Sequence, residues 1–450
     1  MIGTLDETRR EATVVGAGVA GMLAAYALDK KGYEVTLLEE RANAGGLIQT
    51  VQTEYGMAER AAHSLLASGP VVEFCRELGV ELAEVRRDSR ARFIVRGGRL
   101  RKFPLSIGEA AGALGRAAFA RARTDADALD LDSWGRTHLG DAAVDYLLTP
   151  FVRGIYGTRP AELGVAAAFP ALSVAPGQSL LRSALGKVFK RRAKNGNEEG
   201  ESNGVANGGA GKKRRESKKR RESKRMVAPR YGMADLTTRL ERRLEERLGG
   251  RFRRGVRVEE IPDAPNVILA TPAYAAARLL QPTAPGLSRA LAEVRYTPIV
   301  SVTAFVPVAS LTRPVKGVGA LVPEKENRRA LGILFTSSSF EGRVKDESRH
   351  ASFTILLGGS SQPHWASASD AEIKSAVREE LASLLGVRGE LARLVVSRWP
   401  HAIPQYSVSL PALWRLARET WCAAPGHVLC GNYTGQVSLR GMIEQAAQVG

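Results

Sequence analysis

Three glycines near the start of the chain limit its fold more than any other feature. Residues 12–40 read ATVVGAGVAGMLAAYALDKKGYEVTLLEE. The apolar run Thr13–Val15 predicts a strand, and Gly16, Gly18 and Gly21 follow at G-x-G-x-x-G spacing. Ala20–Lys30 predicts an Ala- and Leu-rich helix, and Glu34–Leu38 a second strand. A strand, a tight turn, a helix and a parallel strand make a βαβ unit, and each glycine has its own task there. Gly16 makes the turn, Gly18 lets a pyrophosphate approach the backbone, and Gly21 lets helix and strand pack closely. The helix N-terminus adds free N–H groups and a positive dipole end. Glu39 ends the second strand, 23 positions after Gly16, where a carboxylate accepts hydrogen bonds from ribose hydroxyls. This combination predicts a Rossmann-like dinucleotide site.

Composition sets the scale. At 450 residues and 44% hydrophobic content the chain has material for two or three folded domains. Its net charge of +18 raises nucleic acid, anionic lipid or an acidic substrate as partners. The charge is concentrated, however. Residues 187–225 hold 15 Lys and Arg against 5 Glu, including KKRRES at Lys212–Ser217 and again at Lys218–Ser223. The remaining 411 residues carry 50 basic and 42 acidic groups, a balance of only +8. The basic stretch self-repels and has little to bury, so it reads as a disordered insertion, and nucleic acid is not expected as a partner. Cys75, Cys422 and Cys430 lack metal or redox spacing and read as thiols in a reducing compartment. The first dozen residues lack the apolar segment of a secretory signal, and no apolar run is long enough to span a membrane.

Further along, residues 100–122 and 132–148 predict helices of a helical subdomain whose apolar positions are compatible with a bilayer surface. After the insertion a helix is expected over Ala234–Leu248, a strand over Val256–Ile261 and a short strand over Asn266–Ala270, returning to the dinucleotide domain. Ser301–Val306, Arg329–Phe335 and Ser352–Leu357 read as strands. Ala371–Leu385 reads as a helix burying Ile373, Val377, Leu381 and Leu384.

After Glu39 come Glu40, Arg41, Gly45, Gly46 and Leu47, an E-x-R-x-x-x-G-G run that lets the chain pass near the flavin end of an extended FAD. It resembles the flavoproteins that include amine oxidases, phytoene desaturases and protoporphyrinogen oxidases. Seven further segments, in order, resemble the protoporphyrinogen oxidase family of heme biosynthesis. They are RFIVRGGRLRKFP at Arg92, PFVRGIYGTRPAEL at Pro150, YGMADL at Tyr231, GALVPEKENRRALGILFTSSSFEGR at Gly319, LLGG at Leu356, RWPHAIPQY at Arg398 and GNYTGQVSLRGMIEQA at Gly431.

The resemblance implies FAD as cofactor, held by Gly16, Gly18, Gly21, Glu39, Glu40, Arg41, Gly45, Gly46, Leu47, Val258, Gly431, Val437 and Ser438. A helix starting near Val437 would point its N-terminus at the flavin pyrimidine. It also implies that Arg92 pairs with a tetrapyrrole propionate, and that protoporphyrinogen IX is oxidised with molecular oxygen as acceptor. Coproporphyrinogen III is the alternative substrate; amine oxidation and a non-enzymatic basic binding protein are the alternatives from other classes. The residues assign no catalytic side chain and no metal. Glu59-Arg60-Ala61-Ala62-His63 departs from the family's Gly-Pro at this point, and a lone His63 reads first as structural.

The expected organisation is mixed α/β and α+β. It comprises a discontinuous FAD-binding domain (11–85, 226–285, 401–450), a mixed-sheet substrate domain (86–99, 286–400) and a membrane-compatible helical subdomain (100–186). The insertion is 187–225. A cytoplasmic location, peripheral at the inner face of the cell membrane, is expected, and the sequence is compatible with a homodimer.

Overall fold

The computed structural model describes residues 1–122, 128–183 and 225–449. The expected insertion lies outside the described residues except for Arg225. The βαβ unit forms as the glycine pattern requires: strand β1 (Glu11–Val15), helix α1 (Val19–Lys30) and strand β2 (Glu34–Glu39). Residues Gly21 to Leu28 of α1 are all buried, which suits a helix apolar on every side. β1 and β2 pair in parallel, with Val15 opposite Leu38.

Three distant segments complete this sheet in the order β10-β2-β1-β11-β17. They are β10 (Phe252–Arg254), β11 (Val267–Leu269) and β17 (His427–Leu429), all parallel to their neighbours. The strand expected over 256–261 is therefore displaced. Buried Phe252 pairs with Leu37, Gly255 turns the chain at φ +70°, and 256–261 contains no strand. The apolar Val256 and Val258 suggested a strand, but register with β2 decided which residues pair. Helices α2 (Gly69–Glu77), α6 (Met233–Leu248) and α11 (Leu439–Val449) share a core cluster with α1.

The second sheet has seven strands in the order β16-β12-β15-β14-β13-β7-β8. These are β7 (Arg92–Arg96), β8 (Arg99–Arg101), β12 (Tyr296–Pro307), β13 (Gly319–Leu321), β14 (Ala330–Leu334), β15 (His350–Gly358) and β16 (Arg393–Pro404). Only β13 and β7 pair in parallel. Two expected domain boundaries move as a result. β8 carries the first piece of the substrate domain to 101, and β16 carries its second piece to 404, because ladder pairing continues past both points. Val300, Val302, Ala304 and Val306 turn one face of β12 toward helix α9 (Asp370–Leu385). That helix buries Ile373, Val377, Leu381 and Leu384, as its spacing predicts, and begins at a Ser369–Glu372 capping box.

The helical region differs in its limits. Helix α3 is Ile107–Phe119, begun by the Ser106–Glu109 capping box rather than at residue 100. Helix α4 covers Leu131–His138; Gly140 at φ +82° then breaks the expected run, which resumes through a π-turn into helix α5 (Thr149–Tyr156). On α5, the buried Arg153 reaches Val322 O (3.1 Å) and Ser361 Oγ (3.3 Å), fastening this region to the second sheet. Helices α7 (Ala273–Leu280), α8 (Pro285–Ala292) and α10 (Leu410–Glu419) share its core cluster.

A buried carboxylate ties a small hairpin to the start of α6 and to the segment before β15. Strands β3 (Thr50–Gln52) and β4 (Met57–Glu59) form a hairpin whose last residue, Glu59, accepts from Thr50 Oγ1 (2.7 Å), the Met233 N–H at the start of α6 (2.9 Å) and Arg343 Nη1 (3.2 Å). Arg343 is 1% exposed and also donates to Pro229 O at 3.0 Å. Burial raises the Glu59 carboxyl above its usual range, opposed by Thr50, the Met233 N–H and Arg343. Removing one partner of such a pair costs about 3–5 kcal/mol because the other charge stays buried. Glu59→Gln and Arg343→Met should therefore each lower the thermal unfolding temperature strongly, and the double variant should lose less than the sum, as a double-mutant cycle would measure.

Candidate functional site

The glycine turn lies at the carboxyl ends of β1 and β11. Gly16 has φ +100°, a region a side chain rarely adopts, and a Cβ there would stand 3.0 Å from Ala270 O. At Gly21 the constraint is harder, since a Cβ would lie 1.8 Å from Gly16 O. Gly18 has no atom within 4 Å of where a Cβ would go, so the turn is open on that side. Helix α1 begins there without a side-chain cap or a first-turn acid, leaving its N–H groups and dipole end for an anion.

Glu39 closes the turn from the neighbouring strand. Its carboxylate accepts from Ala17 N–H (2.7 Å) and Arg41 N–H (3.0 Å). Glu40 points away and pairs with Arg257 at 3.8 Å; Arg41 is exposed. Gly45 donates its N–H to Ala17 O at 2.9 Å and forms a parallel bridge with Gly18, while a Cβ on Gly46 would come within 3.3 Å of Gly18 Cα. Both glycine segments thus line one groove, with Leu47 half-buried next in the chain. Val258 is half-buried in the loop after β10, where Val256, two residues earlier, donates its N–H to Glu39 O at 2.9 Å.

Gly431 follows β17, and the preceding residue Cys430 donates to Leu269 O at 2.9 Å, so this turn sits beside the start of α1. Val437 is half-buried. Ser438 caps α11: its Oγ accepts from Gly441 N–H (3.1 Å) and its carbonyl from Met442 N–H (3.0 Å). The helix starts at Leu439, two residues after the expected point, and carries no acid in its first turn.

Arg92 stands apart on β7, opposite Gly319 of β13. Val95 belongs to the face covered by α9, so strand alternation puts Arg92 and Arg96 on the face toward the helical region. Arg96 is engaged by Glu109 at 2.7 Å and lies 4.2 Å from the Tyr146 ring centroid. Arg92 is exposed and makes no ion pair among the described residues.

Several polar atoms in this part of the molecule are sealed without a partner among the described residues: both ring nitrogens of His63, Thr271 Oγ1 and Tyr433 Oη. An uncapped helix N-terminus, an acid at the strand end and orphaned polar atoms fit an extended dinucleotide. Sequence reasoning did not find the Arg60–Trp399 contact, in which Trp399 Nε1 donates to Arg60 O at 2.7 Å and the guanidinium lies 5.2 Å from the indole centroid. Its partners are 339 positions apart, and no local pattern signals that. Cys75, Cys422 and Cys430 are free and buried, and no metal-holding cluster occurs among the described residues.

The model of the flavin containing amine oxidoreductase family matches residues 19–450. Protoporphyrinogen oxidase 2 of Arabidopsis thaliana is 26% identical, with 96% of this chain and 91% of the relative covered. Coproporphyrinogen III oxidase of Bacillus subtilis is 22% identical over 98% of this chain and 97% of the relative. A crystal structure of an Exiguobacterium protein superimposes with a TM-score of 0.73 at 19% identity, covering 99% and 98% of the two chains. A flavin-containing family and an adenine-dinucleotide cradle together make the cofactor FAD. Gly21→Ala should force α1 off the turn and abolish most FAD binding, seen as loss of visible flavin absorbance relative to protein absorbance in the purified variant.

Proposed function

The chain belongs to the flavin containing amine oxidoreductase family, and within it we propose that it oxidises a porphyrinogen to the corresponding porphyrin. One observation carries the reading: relatives matched over more than nine-tenths of both chains include protoporphyrinogen oxidases and a coproporphyrinogen III oxidase. Protoporphyrinogen IX is the leading substrate, since protoporphyrinogen oxidases are the more similar of those relatives; coproporphyrinogen III is the second reading.

FAD, when bound, accepts hydride from carbon and passes the electrons to oxygen. Aromatising the macrocycle removes six electrons, hence three two-electron rounds on one site. The protein's share is then to bind, orient and exclude water rather than to supply a nucleophile. Gly16, Gly18 and Gly21 with the start of α1 would hold the pyrophosphate, and Glu39 the ribose. Gly45, Gly46 and Leu47 would carry the chain past the dinucleotide, beside Glu40, Arg41 and Val258 at its rim. The N-terminus of α11, after Gly431, Val437 and Ser438, would offer positive potential to the pyrimidine end. Arg92, free of a carboxylate partner on the sheet, suits a propionate through its bidentate fork.

We further propose that the protein is cytoplasmic and peripheral on the inner face of the membrane. Helix α3 buries no residue, and Ile107 (92%), Leu114 (73%) and Phe119 (84%) stand exposed near Arg99, Arg101, Lys102 and Arg121. Exposed apolar side chains with arginine and lysine close by in the chain fit an anionic lipid surface.

Porphyrin fluorescence after adding each porphyrinogen to purified holoenzyme tests the activity, and no signal with either would overturn it. Arg92→Ala should raise KM about 10- to 100-fold with a smaller change in kcat, from the loss of a charge-assisted hydrogen bond of roughly 1.5–3 kcal/mol; Arg92→Lys should recover part. For the lipid contact, the protein should co-sediment with phosphatidylglycerol vesicles, and the double variant Ile107→Asp, Phe119→Asp should stay in the supernatant. Equal sedimentation of both forms would discard that part.

A further inference from the structure

His63 is a titratable side chain, enclosed at both ring nitrogens, that the proposed chemistry leaves unused. Both ring nitrogens are cut off from solvent and have no hydrogen-bond partner among the described residues, although the residue as a whole is only half-buried. An imidazole always has a donor or acceptor at each nitrogen, and leaving either unmet in an enclosed place is costly. A side chain held that way in a finished fold calls for a partner that is not protein.

The surroundings identify that partner. His63 lies in the short link between β4 and strand β5 (Leu65–Leu66), and this link is pinned on three sides. Arg60, at its start, donates to Gln49 Oε1 and to Ser397 Oγ (3.2 Å), and Gln49 in turn donates to Gly46 O at 3.1 Å. Trp399 of the substrate sheet donates to the Arg60 carbonyl at 2.7 Å. Ala62, next to His63, packs against the same core cluster as Ile48, Leu439 and Met442, and β5 contacts α11. The link therefore runs between the Gly45–Gly46 segment, the first turn of α11 and the near end of the substrate sheet. Those are the segments assigned above to the flavin half of FAD.

We propose that His63 hydrogen-bonds the isoalloxazine ring of FAD through its neutral imidazole and so fixes the ring against the substrate sheet. The inference rests on the FAD assignment and adds a ligand that the glycine motifs do not supply. Isoalloxazine can meet one of these nitrogens: its pyrimidine edge alternates carbonyl acceptors with an N–H donor, and a neutral imidazole can turn either its N–H or its lone pair to it. Protonation does not interfere. Burial, with Arg343 nearby as a lesser cause, pushes the His63 imidazole down to about 4, so the ring is neutral at physiological pH.

The test uses holoenzyme and no porphyrinogen, so its outcome is separable from that of the substrate reading. Wild type, His63→Ala and His63→Gln are compared in FAD dissociation constant, visible flavin spectrum and unfolding temperature at saturating FAD. Losing one hydrogen bond to the flavin should weaken FAD binding about three- to tenfold and shift the flavin absorption bands in His63→Ala. His63→Gln, which keeps a donor and an acceptor, should restore part of both. An Ala variant with wild-type FAD affinity and spectrum would overturn the proposal, whether its unfolding temperature falls or not; a fall would show His63 to be structural.

Discussion

Glu59 is the interaction on which the arrangement of the domains depends. A carboxylate at the end of a two-stranded hairpin is tied to its own partner strand through Thr50, to the first N–H of α6 through Met233, and to the far domain through Arg343. Each tie alone is weak in water, but with Glu59 and Arg343 both buried none can be exchanged for solvent. Neighbouring backbone fits just as closely. Gly56 bridges Val344, and a Cβ on Gly56 would stand 2.4 Å from Arg343 O. The hairpin and the start of α6 are thus locked to the segment before β15, and Arg60 and His63 follow soon after Glu59 in the chain.

How much of this could be read from the sequence divides along one physical line. Local devices were legible: the βαβ glycines, Glu39 at the end of β2, and the helical spacing of Ile373, Val377, Leu381 and Leu384. Each depends on neighbours a few residues away, which periodicity and turn chemistry report directly. Long-range devices were not legible. The strand beside β2 had to be Phe252–Arg254 rather than 256–261 because its partner, more than two hundred residues earlier, sets the register. Asn266 ties down the N-terminal segment through Asp6 N, Asp6 O, Arg9 O and Glu11 O, yet as a sequence letter it only suggests a turn. The seven segments resembling a known family did what periodicity could not, since they carry the outcome of such pairings without explaining them.

The charge reading gains from the structure in the same way. Outside the insertion the balance is +8, and many of its arginines are locally engaged. Arg136 is shared by Asp132, Asp141 and Asp145; Arg254 is held by Glu241 and Glu245. Arg153 and Arg343 are buried and serve as joints. Arg92 is set apart by its place, on the face of the sheet toward the helical region, where it has no ion-pair partner among the described residues.

Two helices complete the electrostatic picture. α1 and α11 pack against each other, begin near the same groove, and carry no acid in the first turn. Helix N-termini usually gather Asp or Glu, which offset the exposed N–H groups. Neither first turn has an acid to offset its dipole, and α1 has no side-chain cap, whereas Ser438 caps α11, so an anion or a polar ring edge at each end would add stabilisation. One extended dinucleotide would, on the proposed reading, serve both ends, with phosphate at α1 and flavin pyrimidine at α11. On the proposed reading, the positive potential at α11 then stabilises charge that the ring gains on reduction, so the arrangement that holds the cofactor also makes it the better oxidant.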